Sequence, residues 1–323
     1  MAKYLACGNV IYDTVESIEG VNLGEHLGGQ AVYAAAGIRL WTKDVKMVSC
    51  VGADFKEGYS PWLKANGLSD ESIRVEVEYC SHVYMQHTES GAYNIVPNPH
   101  NGLMYLNYEQ GFLETRPEHI EEAIGPDTMA LYHHTHMPDK ILFEKMRKIR
   151  EKYDVKFMWE LMFSGGSMWN TPYFNLQKLK DAAEIAGMWS LNRNEAAVIF
   201  DIPRENDEDM INELMKFPGV EMCYYRVGSK GAYVVTPTNA YFCPMINIAS
   251  TDPMGCGNCS TGTSMYAWCE TGDPLMTAIM SGISAGYNAA QSGPWPVATE
   301  QDTLNAQKMA KEYYEKLKGN YHC

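Results

Sequence analysis

Six short runs in this chain are apolar at consecutive rather than alternate positions: "KYLACGNVI", "VKMVSCVG", "MALYHH", "VKFMWEL", "AGMWSLN" and "VEMCYYRVG". A strand with one wet face alternates apolar and polar residues. A strand that is apolar throughout is covered on both faces, the condition of parallel strands sandwiched by helices. Helix-length stretches separate the runs. Gly28-Gly29 introduces the Ala-rich "QAVYAAAGIRLW", and "YSPWLKANG" reads as a short helix closed by Gly67. Beyond Gly255 the chain reads as helical through 256–271, 274–291 and 301–317. The order predicts an α/β protein with a mostly parallel sheet.

Two segments break the pattern. "CSHVYMQHTESGAYNIV" reads as a hairpin turning at Glu89-Ser90-Gly91, and with the segment near 11–20 it predicts a small antiparallel sheet outside the main one. "GAYVVTPTNAYFCPMI" reads as a second hairpin. With no internal repeat or long linker, residues 1–323 are expected to form a single domain, with lid segments at about 11–20 and 80–108 inserted.

A net charge of -14 argues against nucleic acid or an anionic membrane as the main partner. It does not exclude a phosphorylated ligand, which backbone amides can hold. No apolar run reaches the roughly 18 residues of a membrane helix. With no basic-plus-apolar leader at the N-terminus, a cytoplasmic location is expected. The nine scattered cysteines suit reduced thiols better than a disulfide framework.

Residues 250–262, "STDPMGCGNCSTG", admit two readings. Cys256 and Cys259 form a C-x-x-C pair, which a helix N-terminus would activate by lowering a thiol's pKa. Gly255 and Gly257 sit between the strand-like "YFCPMINIA" and the helical "CSTGTSMYAWCETG". There the free N–H groups of a first helical turn and the helix dipole favour an anion. No second C-x-x-C exists to complete a zinc site.

Five segments, in order, carry a resemblance to the ribokinase-like (PfkB) family of carbohydrate kinases. "LGGQAVYAAAGIRLW" resembles its early Gly-Gly and Ala-rich helix. "VSCVGADFKEG" resembles V-G-x-D-x-x-G at Val51, Gly52, Asp54 and Gly58. "LNRNEAAVIF" is similar to N-x-x-E at Asn192 and Glu195. "RVGSKGAYV" is similar to L-G-x-x-G-A through Gly228, Gly231 and Ala232. Asp252 to Asn258 lies on D-T-x-G-A-G-D. The resemblance implies a three-layer α/β/α ribokinase-like fold with a mostly parallel central sheet and a small β-sheet lid. It implies ATP-dependent phosphorylation of a sugar or nucleoside hydroxyl, with magnesium. Gly255, Cys256 and Gly257 would supply amides to the phosphates, with Arg226 as a nearby cation. Asn192 and Glu195 would help hold Mg²⁺ through water, which suits its hard-oxygen preference. Gly228 and Gly231 would lie against the nucleotide and Asn288 near the adenine. Asp13 would bind substrate hydroxyls, with Asn9 and Tyr33 as neighbours, Gly29 admitting the substrate to the backbone, and Glu160 facing it. Relatives often pair their lids, which implies a homodimer.

The chain departs from the family where it matters most. The last aspartate of the motif is the family's general base, and here that position is Asn258. A carboxamide orients a hydroxyl but takes no proton, and losing a positioned base slows reactions on the order of 10²–10⁴-fold. The sequence therefore predicts a slow kinase or, alternatively, a non-catalytic relative that binds nucleotide or sugar as a sensor or partner. Asp252 is a substitute base in principle, but its place before the turn suits a buttress of the loop or metal better. His133, His134 and His136 end a strand and are read as cleft lining or packing ahead of zinc. Tyr84, Tyr93 and Tyr105 suit either stacking on a sugar ring or sheet packing.

Overall fold

Along the first strand, Tyr4 and Ala6 enter one hydrophobic core while Leu5 and Cys7 enter another. The same split recurs at Met158 against Phe157 and Trp159, and at Tyr224 against Cys223 and Tyr225. Each strand is thus apolar at consecutive positions because the sheet has a core on both faces. The structure, a computed structural model, describes residues 2–88, 93–96, 113–135, 140–161, 171, 174–246, 248 and 251–319. Tyr105, His136, the Glu89-Ser90-Gly91 turn and the side chain of Tyr93 lie outside the described residues.

The main sheet runs in the order β13-β12-β11-β10-β9-β8-β1-β4-β5. Its strands are β1 (Tyr4–Cys7), β4 (Val45–Gly52), β5 (Ile73–Val77), β8 (Ala130–Thr135), β9 (Lys156–Leu161), β10 (Gly187–Asn192), β11 (Met222–Arg226), β12 (Gly231–Val235) and β13 (Ala240–Pro244). Pairs from β5 through β11 are parallel, and β12 and β13 add the expected antiparallel hairpin. One face carries α1 (Gln30–Arg39), α2 (Phe55–Asn66), α8 (Cys256–Thr271), α9 (Pro274–Ala289) and α10 (Glu300–Leu317). The other carries α3 (Pro117–Ala123), α4 (Lys140–Tyr153), α5 (Leu176–Ala186), α6 (Arg193–Phe200) and α7 (Asp207–Leu214). This is the three-layer α/β/α architecture expected. Helices α1 and α8 cross closely because glycine lies at the contact: a Cβ on Gly37 would stand 2.3 Å from the Cys259 carbonyl oxygen.

A separate four-stranded sheet runs β3-β2-β6-β7, from β2 (Ile11–Glu16), β3 (Asn22–Gly28), β6 (Ser81–His87) and β7 (Tyr93–Val96). The β6–β7 hairpin is as expected, but the small sheet is not wholly antiparallel: β2 and β6 are parallel neighbours. After β3 the chain builds α1, β4, α2 and β5 before returning, and such a crossover permits a parallel pairing that a tight turn does not. The segment with Gly52, Asp54 and Gly58 is the joint between the two sheets. Asp54 Oδ1 accepts the Cys80 N–H at 2.8 Å, and Oδ2 lies 3.0 Å from His82 Nε2. A Cβ on Gly58 would meet the Tyr12 hydroxyl at 2.2 Å. Among the described residues, no helix is long and apolar enough to cross a membrane.

Candidate phosphate and acceptor site

The ends of β9 and β11 place Glu160 and Arg226 beneath the start of α8, and Tyr132, in the middle of β8, reaches them through its hydroxyl. Parallel pairing sets His134 beside Glu160 and Asn192 beside Arg226, so these side chains gather at the carboxyl ends of the strands. Open parallel sheets bind ligands at that edge.

Helix α8 begins at Gly255, whose φ of 72° is left-handed and carries no side-chain cap. A Cβ there would penetrate the Tyr33 ring at 2.2 Å, so glycine is required twice over. Pro253 has no N–H, the Cys256 N–H returns to the Pro253 carbonyl, and the Cys259 N–H bonds the Gly255 carbonyl. Among the described residues no backbone carbonyl takes the N–H of Gly257 or Asn258. Two donors thus remain at the positive end of a helix dipole. Arg226 adds a cation: a Cβ on Gly257 would fall 2.1 Å from its Nη1, and its Nε, itself buried, has no hydrogen-bond partner among the described residues. Donors in excess, one of them on a partly buried cation, fit a phosphate.

Arg226 also faces Glu160, with Nη1 2.7 Å from Oε1. Glu160 is 2% exposed, and its other oxygen accepts from the Tyr132 hydroxyl at 2.5 Å and from Asn258 Nδ2 at 3.1 Å. Asn258 Nδ2 lies 3.1 Å from the Tyr132 oxygen as well. A carboxylate only accepts, so the amide must turn its NH₂ toward Glu160 and present Oδ1 on its other side.

Asp252 supports the turn, Oδ1 accepting the Met254 N–H at 2.9 Å, while the buried Oδ2 has no hydrogen-bond partner among the described residues. Asp13, on β2, is 5% exposed. Its pKa is pushed up to about 8, first by burial and then by the charge of Asp252.

Several of the residues singled out in the sequence also make contacts within the chain. Gly29 is required by the chain itself, since a Cβ would stand 2.4 Å from the Asn9 carbonyl oxygen, and Gly28 is the glycine against Asp13 Oδ2. Asn288, expected beside an adenine, is 1% exposed and donates to the Met254 carbonyl at 2.7 Å, holding the turn from within. Gly231 is fixed by strand pairing, a Cβ meeting the Cys243 carbonyl oxygen at 2.1 Å, whereas the Cβ direction of Gly228 is open. Asn192 and Glu195 form a capping box at the start of α6: Asn192 Oδ1 accepts the Glu195 N–H at 3.1 Å, and Glu195 Oε2 accepts the Asn192 N–H at 2.6 Å. His133 points away from the site and lies 3.2 Å from the Thr115 carbonyl oxygen, its pKa lowered by burial. Tyr84, 6% exposed, is part of the lid's packing.

The thiol pair is not poised for redox work. Burial pushes Cys256 up to about 11 and Cys259 well above the ordinary thiol range, overriding the helix dipole. A second thiol cluster, Cys50, Glu76 and His119, has ligand atoms within 4.8 Å of one another, but Arg116 already supplies its cation, bonded to His119 and 3.3 Å from Glu76.

Tyr132 is the residue sequence reasoning missed. Its signal was present: with His134 it shares one side of β8, the side that faces Glu160.

A model of the pfkB family carbohydrate kinase matches residues 5–293, and the chain belongs to that family. A search of curated proteins found no match. Among solved structures, a Burkholderia thailandensis nucleoside kinase in complex with inosine shares 18% identity, covering 97% of this chain and 96% of its own, at a TM-score of 0.67. The adenosine kinase of Sinorhizobium meliloti shares 14%, covering 95% and 99%, at 0.72. The ribokinase of Giardia lamblia shares 16%, covering 95% and 100%, at 0.69. At such identities these likenesses establish the fold.

Proposed function

We propose that the chain transfers the γ-phosphoryl group of ATP to a hydroxyl of a sugar or nucleoside, and does so slowly. The observation that carries this reading is the pair of N–H groups, Gly257 and Asn258, that no backbone carbonyl among the described residues takes, at the start of α8 beside the partly buried cation Arg226. Catalysis of phosphoryl transfer is mostly positioning and charge stabilisation, which such donors supply without covalent chemistry. Nucleoside-kinase and ribokinase neighbours support the choice of acceptor.

Asp13 accepts hydrogen bonds from acceptor hydroxyls, and Asn258 Oδ1 orients the attacking one. The hydroxyl oxygen bonds to the γ-phosphorus as the bond to ADP breaks; its proton leaves on the transferred group and passes to water. With no carboxylate at 258, the step lacks the roughly 10²–10⁴-fold of a positioned base. Glu195 is the residue that would hold magnesium, through water, because the ion dehydrates reluctantly and keeps several of its waters. Bound there, the ion would neutralise charge on the phosphates.

A second reading rests on Asn258 itself: a protein that binds nucleotide and sugar or nucleoside without turnover. Assaying ADP formation and phosphorylated product over a panel of sugars and nucleosides separates the two.

Asp13 makes binding pH-dependent. Hydroxyl donors favour the charged carboxylate, so binding expels the proton that burial retains. Acceptor affinity is expected to rise with pH, approaching roughly tenfold per unit below about 8 and levelling above it. Isothermal titration across that range checks this, and Asp13→Asn should flatten the profile. Conversely, a carboxyl whose folded pKa is raised stabilises the unliganded fold at low pH. That contribution fades as pH rises through about 8.

A further inference from the structure

We propose that Glu160 and Asn258 form a coupled pair that holds one carboxylate, with Glu160 acting as the positioning residue for the amide at 258. This rests on the phosphotransfer reading for its kinetic consequences, but its geometry is independent of any reaction. Glu160 Oε2 accepts from Asn258 Nδ2 at 3.1 Å and Tyr132 at 2.5 Å, and Oε1 accepts from Arg226 at 2.7 Å. Three donors from β8, β11 and α8 converge on one buried acid. The charge of the cluster therefore balances with an amide at 258: Arg226 against Glu160, and neutral donors for the remaining oxygen.

Substituting aspartate at 258 does not restore a base under these conditions. In the same rotamer it would replace an N–H donor with an oxygen at about the same separation from Glu160 Oε2, and two carboxylates so placed hold one proton between them. The pair would titrate as a unit. The proton would stay on the pair at the pH where a general base must be empty. Moving the charge requires both changes together, Asn258→Asp with Glu160→Gln. Arg226 then keeps one carboxylate within reach, and the amide at 160 can donate to the new acid.

The groups that face position 258 are Tyr132 from β8 and Glu160 from β9, with Arg226 from β11 paired to Glu160 and beside Gly257. Glu195 and Tyr224 act on the cluster through Arg226.

The test is a cycle of Asn258→Asp, Glu160→Gln and the double variant, read by kcat, KM and pH profile with ATP and an acceptor from the panel. Asn258→Asp alone is expected to give no gain in kcat, with the rise in kcat displaced to alkaline pH. Glu160→Gln is expected to lower kcat at least several-fold while leaving the acceptor KM nearly unchanged, because the amide loses its orientation. The double variant is expected to exceed Asn258→Asp by at least tenfold and to move the profile back toward neutral pH. A gain of about 10²-fold or more from Asn258→Asp alone, the size of a working base, or effects that simply multiply, would overturn the coupling.

A second readout needs neither activity nor Glu160→Gln. In the single variant Asn258→Asp, carbon-13 NMR titration of the introduced carboxyl should show it protonated well above the ordinary aspartate range. An ordinary titration would overturn the proposal even if every variant turns over. A raised titration without turnover in any variant would uphold the pair and sink the phosphotransfer reading instead.

Discussion

Arg226→Ala is expected to lower stability by about 3–5 kcal/mol, because it leaves the Glu160 carboxylate buried without its counter-charge. Glu160 is 2% exposed, so water replaces little of the lost interaction. Hydrogen bonds from Tyr132 and Asn258 soften the loss but carry no positive charge. At the unfolding entropy usual for a chain of 323 residues, the melting temperature should fall by roughly 4–7 °C. Nucleotide affinity should fall with it, since the same guanidinium lies beside Gly257. Replacing both partners, Arg226→Met with Glu160→Gln, should recover much of the stability and none of the nucleotide affinity. Differential scanning calorimetry and titration with ATP measure the two effects separately. Recovery of both would mean that Arg226 has no part in binding the nucleotide.

Gly255→Val is expected to have the largest effect on phosphate binding for the smallest change in composition. The residue must hold φ near 72°, which for a β-branched side chain costs on the order of 1–3 kcal/mol. Its Cβ would also occupy the Tyr33 ring, from which it would stand only 2.2 Å. The turn must move, and with it the N–H groups of Gly257 and Asn258. Nucleotide affinity should drop at least tenfold. Adding Tyr33→Ala opens the space and should return part of the lost stability, while the backbone conformation still resists valine and binding stays weak. A double variant that binds ATP as tightly as the natural protein would show that the ring alone made glycine necessary.

These two predictions mark where sequence reading reaches and where it stops. The layers were legible because Tyr4, Leu5, Ala6 and Cys7 are all apolar, and a short run of that kind between helix-length stretches suits a strand buried on both faces. The turn into α8 was legible because Gly255 and Gly257 fall at a helix start. Strand β3 was not, because "NLGEHLG" is largely exposed and its pairing is set by the neighbouring strand rather than by its own pattern. The edge strand β5, exposed along its middle, was missed for the same reason. For single residues the structure adds contacts within the chain that the sequence did not show. Gly29, read as room for a substrate, also leaves room for the Asn9 carbonyl; Asn288, read as an adenine contact, also braces the turn. Such contacts join residues 20 and 34 positions apart, which one sequence does not record. The clearest case is Asn258. Alone it reads as a lost base, and beside Glu160 and Tyr132 it is one member of a charge-balanced cluster.

Phosphorus NMR of the protein with ATP, magnesium and a panel of sugars and nucleosides tests the central claim most directly. The account predicts a slow new phosphomonoester resonance with one acceptor class, rising in step with ADP and lost in Gly255→Val. ATP that binds and stabilises the protein while no phosphomonoester forms with any acceptor would contradict it, and would leave a binding protein in a kinase fold.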